Sequence, residues 1–319
     1  MAENILTMEN IVKTYKMGDE QQTVLKGIDL QVDKGEFVAI LGPSGSGKST
    51  LMNIITDNLR PTAGEVSLDG NVIWKNSNAY RARLGYMPQQ QGLYSSFTGT
   101  RFLWYMAALK GLSHREAKTR VNELLELVNL KDAADRRIGG YSGGMKQRVI
   151  IAIALACSPK LLIADEPTTA LDVTIQAQIL HLMRELKEKK NTSVIMITHD
   201  LGIVAETCDR VAVMYAGKII EEGTLDEVFN HTLHPYTEGL FNSLPNIKNR
   251  TARLRPIHGL MPDPTDLPEG CAFAPRCNYA TEACKKRRPD LVTFTGTHKA
   301  ACLAYEDKDF HIERGKKNG

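Results

Sequence analysis

The chain has 319 residues, which is enough for one large domain with an appendage or for two domains. Hydrophobic residues make up 42% of it and charged residues 24%, proportions that are ordinary for a soluble globular protein. The formal net charge of +3 is too small to indicate nucleic-acid binding by itself.

The first 32 residues are predicted to form β structure. Two β-like runs, Leu6–Val12 and Val24–Val32, flank a polar turn at residues 17–22. Tyr15 lies in the connection that precedes a glycine-rich loop. An aromatic ring at such a place can stack on an adenine, and the alternative is a surface aromatic that covers a strand edge.

The glycine-rich loop follows a predicted buried strand at residues 37–41 and precedes a predicted helix whose buried face begins at Leu51. It consists of Gly42, Pro43, Ser44, Gly45, Ser46, Gly47, Lys48, Ser49 and Thr50. It contains the phosphate-binding pattern G-x-x-x-x-G-K-[ST] in the strand–loop–helix context that this pattern requires. Backbone N–H groups and the helix N-terminus would bind phosphate oxygens. Lys48 would reach the β- and γ-phosphates, and Ser49 would ligate Mg²⁺.

Two further strands are predicted at residues 64–70 and 84–89, and the second ends at Gln89. A glutamine after a strand is most often solvated, so Gln89 by itself indicates little. From about residue 97 to 156 the hydrophobic period becomes helical, which predicts a helical insert. The insert ends in a polar, glycine-rich turn at residues 141–148. Such a turn is either a second anion-binding site or an ordinary capped helix start.

Two adjacent carboxylates, Asp165 and Glu166, end the next predicted buried strand. Ligand sites in open parallel sheets lie outside this end of the strands. Asp165 would help to hold Mg²⁺, and Glu166 would take a proton from an attacking water. His199 ends the following strand, where a lone histidine is more often structural; the neighbouring motifs favour a catalytic role. The alternation of strands and helices predicts an α/β fold with a largely parallel core sheet.

Four of the six cysteines lie in the last fifty residues: Cys271, Cys277, Cys284 and Cys302. Their C-x₅-C-x₆-C-x₁₇-C spacing is not that of a zinc ribbon, and it leaves metal ligands and buried thiols open. No apolar run approaches the roughly 18–20 residues of a membrane-spanning helix. The N-terminus lacks the pattern of a signal peptide. A nucleotide site without an export signal indicates the cytosol, where disulfides are not expected.

Taken together, these motifs resemble the ATP-binding subunit of an ABC transporter over residues 4 to about 305. In chain order they are the adenine-stacking Tyr15, the Walker A loop 42–50, the Q-loop residue Gln89, the signature loop 141–147 with Ser142, Gly143, Gly144 and Met145, the Walker B strand 161–166, the D-loop 169–172 with Asp172, and the switch residue His199. The resemblance implies that Lys48, Gln89, Glu166 and His199 are catalytic. It also implies that Ser49, Gln89 and Asp165 hold Mg²⁺.

The same resemblance implies a RecA-like P-loop NTPase core with a mostly parallel sheet, an antiparallel β edge and a helical subdomain at about residues 92–156. It assigns residues 1–230 to the ATPase domain and residues 231–319 to a small cysteine-rich extension. This chain's signature loop would face a nucleotide held by a second ATPase subunit, for which the resemblance favours a related protein over a second copy. Asp172 would lie at the dimer seam. Two permeases and an extracytoplasmic binding protein would complete a complex in which this chain lies at the cytoplasmic face of the membrane and binds no nucleic acid.

The C-terminal segments resemble the oligopeptide/dipeptide and nickel-peptide importer ATPases, at His234–Thr237, Leu244–Pro245 and Leu267–Cys277. This family implies import of peptides or a related small substrate, such as a nickel chelate. It also implies that the four C-terminal cysteines hold a [4Fe-4S] cluster, with zinc as the second choice.

The N-terminal half is exporter-like. Residues 37–54 are more similar to the lipoprotein- and macrolide-export ATPases, and residues 84–112 to drug-export ATPases. An exporter ATPase is therefore the alternative function. A non-transport ABC ATPase is a remote one, because such proteins typically carry two cassettes or a coiled-coil insert.

Overall fold

A computed structural model describes residues 3–18, 20–89, 92–169, 171–243, 257–263 and 266–312. The strands are β1 (Asn4–Met17), β2 (Glu20–Asp33), β3 (Phe37–Leu41), β4 (Ala63–Leu68), β5 (Asn71–Val72), β6 (Leu84–Met87), β7 (Leu161–Asp165), β8 (Ser193–Ile197), β9 (Arg210–Tyr215), β10 (Lys218–Thr224), β11 (Val292–Thr295) and β12 (His298–Ala300). The α-helices are α1 (Lys48–Ile55), α2 (Ser77–Ala82), α3 (Gly99–Leu109), α4 (His114–Leu127), α5 (Gly143–Ala154), α6 (Val173–Lys190), α7 (Leu201–Thr207), α8 (Leu225–Asn230), α9 (Pro235–Asn242) and α10 (Glu282–Lys286).

An eight-stranded sheet forms the centre, in the order β11-β12-β10-β9-β3-β8-β7-β6. The neighbours from β9 to β6 pair in parallel, and the neighbours from β9 to β11 pair antiparallel. Strands β3 and β8 are buried at every position, as expected for short strands that are covered on both faces. The prediction of an α/β fold with a largely parallel core and an antiparallel edge is confirmed.

A second, four-stranded antiparallel sheet has the order β2-β1-β4-β5. Its first two strands extend beyond the predicted apolar runs, because backbone pairing continues through polar residues to Met17 and Glu20. Tyr15 thereby lies on β1 opposite Gln22 on β2. This pairing carries Tyr15 out of a connection and into a strand.

The helical insert is formed by α3, α4 and α5. Ser113 caps α4 with a capping box, in which its hydroxyl accepts the Glu116 N–H while the Glu116 carboxylate accepts the Ser113 N–H. The apolar residues of α4 that recur at helical spacing are buried: Ala117, Val121, Leu124 and Leu125. Within the described residues, no helix is both long enough and apolar enough to cross a bilayer.

The C-terminal region is joined to the central sheet by β12, which pairs with β10. The joint includes a fully buried carboxylate, Glu221. Its oxygens accept the N–H groups of Leu233 at 2.7 Å and His234 at 3.0 Å, and Nε2 of the buried His298 lies 2.9 Å from Oε1. The central sheet therefore continues past residue 230. The domain boundary there stays a prediction, and Leu244–Pro245 lies outside the described residues.

Candidate nucleotide-binding site

The glycine-rich loop joins β3 to α1, and its backbone conformation depends on glycine. Gly47 caps α1 with φ +100°, and a Cβ there would lie 2.7 Å from Leu25 Cδ2. Only glycine can adopt this positive φ without strain and also leave room for the Leu25 side chain. The C=O of the buried Ser46 accepts the N–H of Gly217 at 3.0 Å, which joins the loop to the turn between β9 and β10.

Lys48 folds back over the loop that precedes it. Its ammonium donates to the C=O of Gly42 at 2.6 Å and to the C=O of Pro43 at 2.8 Å. Burial lowers the pKa of Lys48, and the nearby carboxylates of Glu166 and Asp165 act in the opposite direction. The ammonium is thus held by neutral carbonyl groups and faces two carboxylates, where it could also bind a phosphate.

The two carboxylates lie at the C-terminal end of β7. Burial raises the pKa of Asp165, and so does the neighbouring Glu166. Glu166 has φ +47°, an uncommon backbone conformation for a residue with a side chain. Its N–H donates to the C=O of Ile197 on β8, and its Oε1 lies 2.8 Å from Nδ1 of His199. The carboxylate therefore faces His199, two positions beyond the end of β8.

A cavity of about 400 Å³ opens between the glycine-rich loop and these carboxylates. The predicted residues that line it are Ser44, Gly45, Gly47, Lys48, Ser49, Thr50, Gln89, Asp165 and Glu166. The structure therefore brings together residues that lie more than a hundred positions apart in the chain. Gln22, Val24 and Ile197 also line the cavity and were not predicted. The signal for Gln22 was its place opposite Tyr15, which only the strand register reveals.

Tyr15 is not among the described residues that line the cavity. Its side chain is 36% exposed, and Lys13 Nζ lies 5.2 Å from its ring centre. Because Gln22 pairs with Tyr15 across the strands, the ring belongs to the sheet that borders the cavity. An exposed ring at that border is available for stacking.

The predicted signature residues and Asp172 do not line this cavity, and two of them, Ser142 and Asp172, cap helices. Ser142 accepts the Met145 N–H at 3.3 Å at the start of α5. Asp172 accepts the Ile175 N–H at 2.9 Å at the start of α6. A Cβ on Gly144 would lie 2.5 Å from Ile175 Cγ2, so glycine allows the two helix starts to approach closely. The capped helix start at Ser142 is one of the two alternatives given for the 141–148 turn, whereas the cap at Asp172 was not predicted.

Comparison with known proteins identifies the family. A family model described as ABC transporter matches residues 25–169, and one described as oligopeptide/dipeptide transporter, C-terminal region, matches residues 220–284. The oligopeptide transport ATP-binding protein AppD of Bacillus subtilis is 40% identical, over 95% of this chain and 98% of that protein. This chain belongs to the ABC transporter ATP-binding family. It is an ATPase cassette of that family.

Further relatives and solved structures support the assignment of this ABC ATPase to the family. The dipeptide transport ATP-binding protein DppD of Haemophilus influenzae is 42% identical over 89% of this chain and 91% of its own. The structure of cbiO1 from Clostridium perfringens, part of the ABC transporter complex cbiONQ, has a TM-score of 0.65 at 33% identity, over 72% of this chain and 91% of that one. The dimeric structure of MJ0796, a bacterial ABC transporter cassette, has a TM-score of 0.63 at 35% identity, over 69% of this chain and 99% of that one.

The predicted iron–sulfur cluster of this ABC ATPase is not supported. The structure does collect Cys271, Cys277, Cys284 and Cys302 around one cavity, but its volume of about 10 Å³ is roughly that of a single water. Within the described part of the chain, no group of three or more His, Cys, Asp or Glu residues is placed to hold a metal ion, zinc included.

Proposed function

We propose that the chain is the ATP-hydrolysing subunit of an importer for peptides or a related small substrate. The observation that carries the proposal is the cavity that joins the glycine-rich loop, Gln89 and Glu166, whose carboxylate also contacts His199 outside the cavity lining. The relatives that are named for oligopeptide and dipeptide transport support the substrate class, as does the match to the C-terminal region of such transporters.

We infer that the glycine-rich loop binds the phosphates of ATP. Backbone N–H groups and the start of α1 favour an anion, and Lys48 is already near enough to exchange its carbonyl partners for phosphate oxygens. Tyr15 would stack on the adenine from the sheet edge. Catalysis of phosphoryl transfer depends mainly on such positioning and on charge stabilisation.

The oxygen donors in the cavity fit Mg²⁺. Ser49, Gln89 and Asp165 all line it, and hydroxyl, amide and carboxylate oxygens are the ligands that this ion prefers. When bound, Mg²⁺ neutralises charge on the β- and γ-phosphates. Burial and the neighbouring Glu166 both raise the pKa of Asp165, and a cation beside Asp165 would favour its charged form.

Glu166 is the residue that would accept a proton from the attacking water. Its Oε1 faces His199 Nδ1, and its Oε2 accepts the Thr169 hydroxyl at 3.1 Å. Two partners fix the orientation of the carboxylate, so a water beside it would meet a positioned base. His199, whose side chain is 76% exposed, would contact both this base and the γ-phosphate.

The chain holds half of a complete site. Ser142, Gly143, Gly144 and Met145 start α5 outside the cavity, so they would act on a nucleotide held by a second ATPase subunit. Asp172 would lie at the seam of that dimer, beside Val173, whose side chain is 82% exposed. A related subunit, two permeases and an extracytoplasmic binding protein would complete the complex. The chain would lie at the cytoplasmic face of the membrane.

The importer proposal is tested with the complex of ATPase subunits and permeases in vesicles. Peptide presented with its binding protein should stimulate ATP hydrolysis and accumulate inside vesicles in the direction of import. Stimulation by a drug-like or lipoprotein substrate, with movement in the opposite direction, would establish the exporter alternative. The names of the relatives do not favour that alternative, although residues 37–54 and 84–112 resemble exporters.

A further inference from the structure

A second cavity, of about 50 Å³, lies beside the turn that joins β9 to β10. Its walls combine positive charge with an apolar surface. The cationic residues are Lys26, Lys218 and Arg288, and the larger apolar or aromatic ones are Tyr215, Ile220, Leu267 and Phe273. None of the roles proposed for the nucleotide site uses these side chains.

The positive charge of this cavity is not balanced within its walls. Lys26 lies on β2, Lys218 on β10 and Arg288 in the segment before β11, and none of the described residues around the cavity is acidic. Lys26 Nζ donates to the neutral C=O of Ala216 at 2.9 Å. Burial lowers the pKa of Lys26 to about 8, and the charges of Arg288 and Lys218 contribute in the same direction. Three cations from three separate segments thus share a site that attracts an anion.

Arg288 is held in place by carbonyl groups as well. Its Nε donates to the C=O of Glu269 at 3.2 Å, and its Nη2 donates to the C=O of Pro268 at 3.3 Å. These bonds orient the guanidinium without neutralising it. The guanidinium fork is suited to a planar carboxylate, which it can bind through two parallel hydrogen bonds.

We propose that this cavity binds a small carboxylate with a short apolar tail. The carboxylate would lie among the three cations, and the tail would pack against the aromatic and aliphatic wall. A polar tail would be disfavoured there, because its atoms would lose their hydrogen bonds to water. On a scale where one water occupies roughly 10–15 Å³, the cavity admits only a few heavy atoms. The cations disfavour a ligand that also carries an ammonium group, because none of the described residues that line the cavity has an acidic side chain to receive it.

The cavity is also connected to the nucleotide loop through two residues of the β9–β10 turn. The ammonium of Lys26 donates to the C=O of Ala216, and the backbone N–H of Lys26 donates to the C=O of Gly217 at 3.0 Å. The N–H of Gly217 in turn donates to the C=O of Ser46, inside the glycine-rich loop. A ligand that draws Lys26 away from this turn would therefore change nucleotide affinity, by about fivefold or more if the coupling is typical. This coupling, unlike the binding itself, rests on the nucleotide site proposed above.

The binding is tested by titrating the full chain, without nucleotide, with butyrate, butyramide and formate at equal ionic strength. We expect saturable binding of butyrate only. Lys26→Met keeps the length of the side chain and Arg288→Gln removes the guanidinium; each should weaken butyrate binding about tenfold or more, the loss of one charge-assisted contact. Lys34→Met is the matched control, because Lys34 lies outside the cavity and pairs with Glu3 on the surface.

Several results would overturn the proposal. Equal binding of butyramide would show that charge is not recognised, and equal binding of formate, a carboxylate without a tail, would show that the apolar wall is not used. Butyrate binding that survives both substitutions would place the ligand elsewhere. Thermal unfolding verifies each variant, and Arg288→Gln decides alone if Lys26→Met does not fold. Affinity for a non-hydrolysable ATP analogue, measured with and without butyrate, tests the coupling; an unchanged affinity refutes it.

Discussion

Nδ1 of His199 lies 2.8 Å from Oε1 of Glu166, although the two residues end different strands and are 33 positions apart. Glu166 is mostly buried, with a side chain that is 13% exposed, whereas His199 is open to solvent. The pair therefore links a carboxylate that lines the cavity to a solvent-exposed histidine. The contact with His199 orients the Glu166 carboxylate, which suits a positioned base.

Replacing Glu166 with Gln should abolish most hydrolysis and leave ATP binding intact. The amide keeps the size of the side chain but cannot accept the proton, and a positioned general base contributes roughly 10²–10⁴-fold. Steady-state phosphate release by the assembled transporter measures the loss, and a nucleotide titration measures binding. Glu126→Gln, an exposed substitution on α4, is the control. Near-normal turnover of E166Q would remove Glu166 from this role.

Replacing Lys48 with Met should weaken ATP binding itself. The variant keeps the apolar stem but loses the ammonium that now donates to Gly42 and Pro43. The loss of a charge-assisted contact to phosphate should reduce affinity by about tenfold or more. Titration with a fluorescent ATP analogue provides the measurement. Unchanged affinity would mean that the ammonium does not contact the nucleotide.

Asp172 allows a structural role to be separated from a role at the dimer seam. Asp172→Ala removes the N-cap of α6 and should lower the free energy of unfolding by about 0.5–2 kcal/mol. Asp172→Ser keeps a capping hydroxyl and should restore most of that stability. If the residue also acts at the seam, ATPase activity of the dimer should stay low in both variants. Full activity of D172S would show that only the cap matters.

The buried Glu221 should be one of the costlier residues to remove. Glu221→Ala leaves the N–H groups of Leu233 and His234 and the ring of His298 without their acceptor. Breaking a buried pair on one side costs about 3–5 kcal/mol. Urea unfolding provides the measurement. Glu185→Ala, which breaks an exposed pair with Lys189, should cost only about 0.5 kcal/mol; comparable losses would contradict the assignment.

Lys26 should make stability depend on pH above neutrality. Its pKa is about 8 in the folded chain against an ordinary 10.5, so the unfolded chain binds the proton more tightly. Stability contributed by this group therefore rises as pH increases from about 8 to 10.5, because the folded chain loses the proton first. Unfolding free energies of wild type and Lys26→Met should diverge in favour of wild type over this range. A constant difference between pH 7.5 and 10 would refute the lowered pKa.

Local hydrophobic patterns were sufficient to predict the position and type of the strands and helices that form the core. The alternation of apolar runs and helical periods located β3, β7, β8 and α4 because those segments carry strong, uninterrupted patterns. The ends of β1 and β2 were missed, since their polar residues are held by backbone pairing that leaves no periodic signal. The family resemblance implied a metal site at the four C-terminal cysteines, but the folded thiols surround space for little more than one water.

The sequence by itself determined the phosphate loop, the order of the strands and helices, and the family to which the chain belongs, because these depend on neighbours along the chain. The tertiary structure decided which of those residues meet. It brought Gln22 and Ile197 to the cavity and left Ser142 and Asp172 outside it. It also placed Lys26 against Ala216, 190 positions away. Such contacts depend on strand register and on burial, which no local pattern of residues encodes.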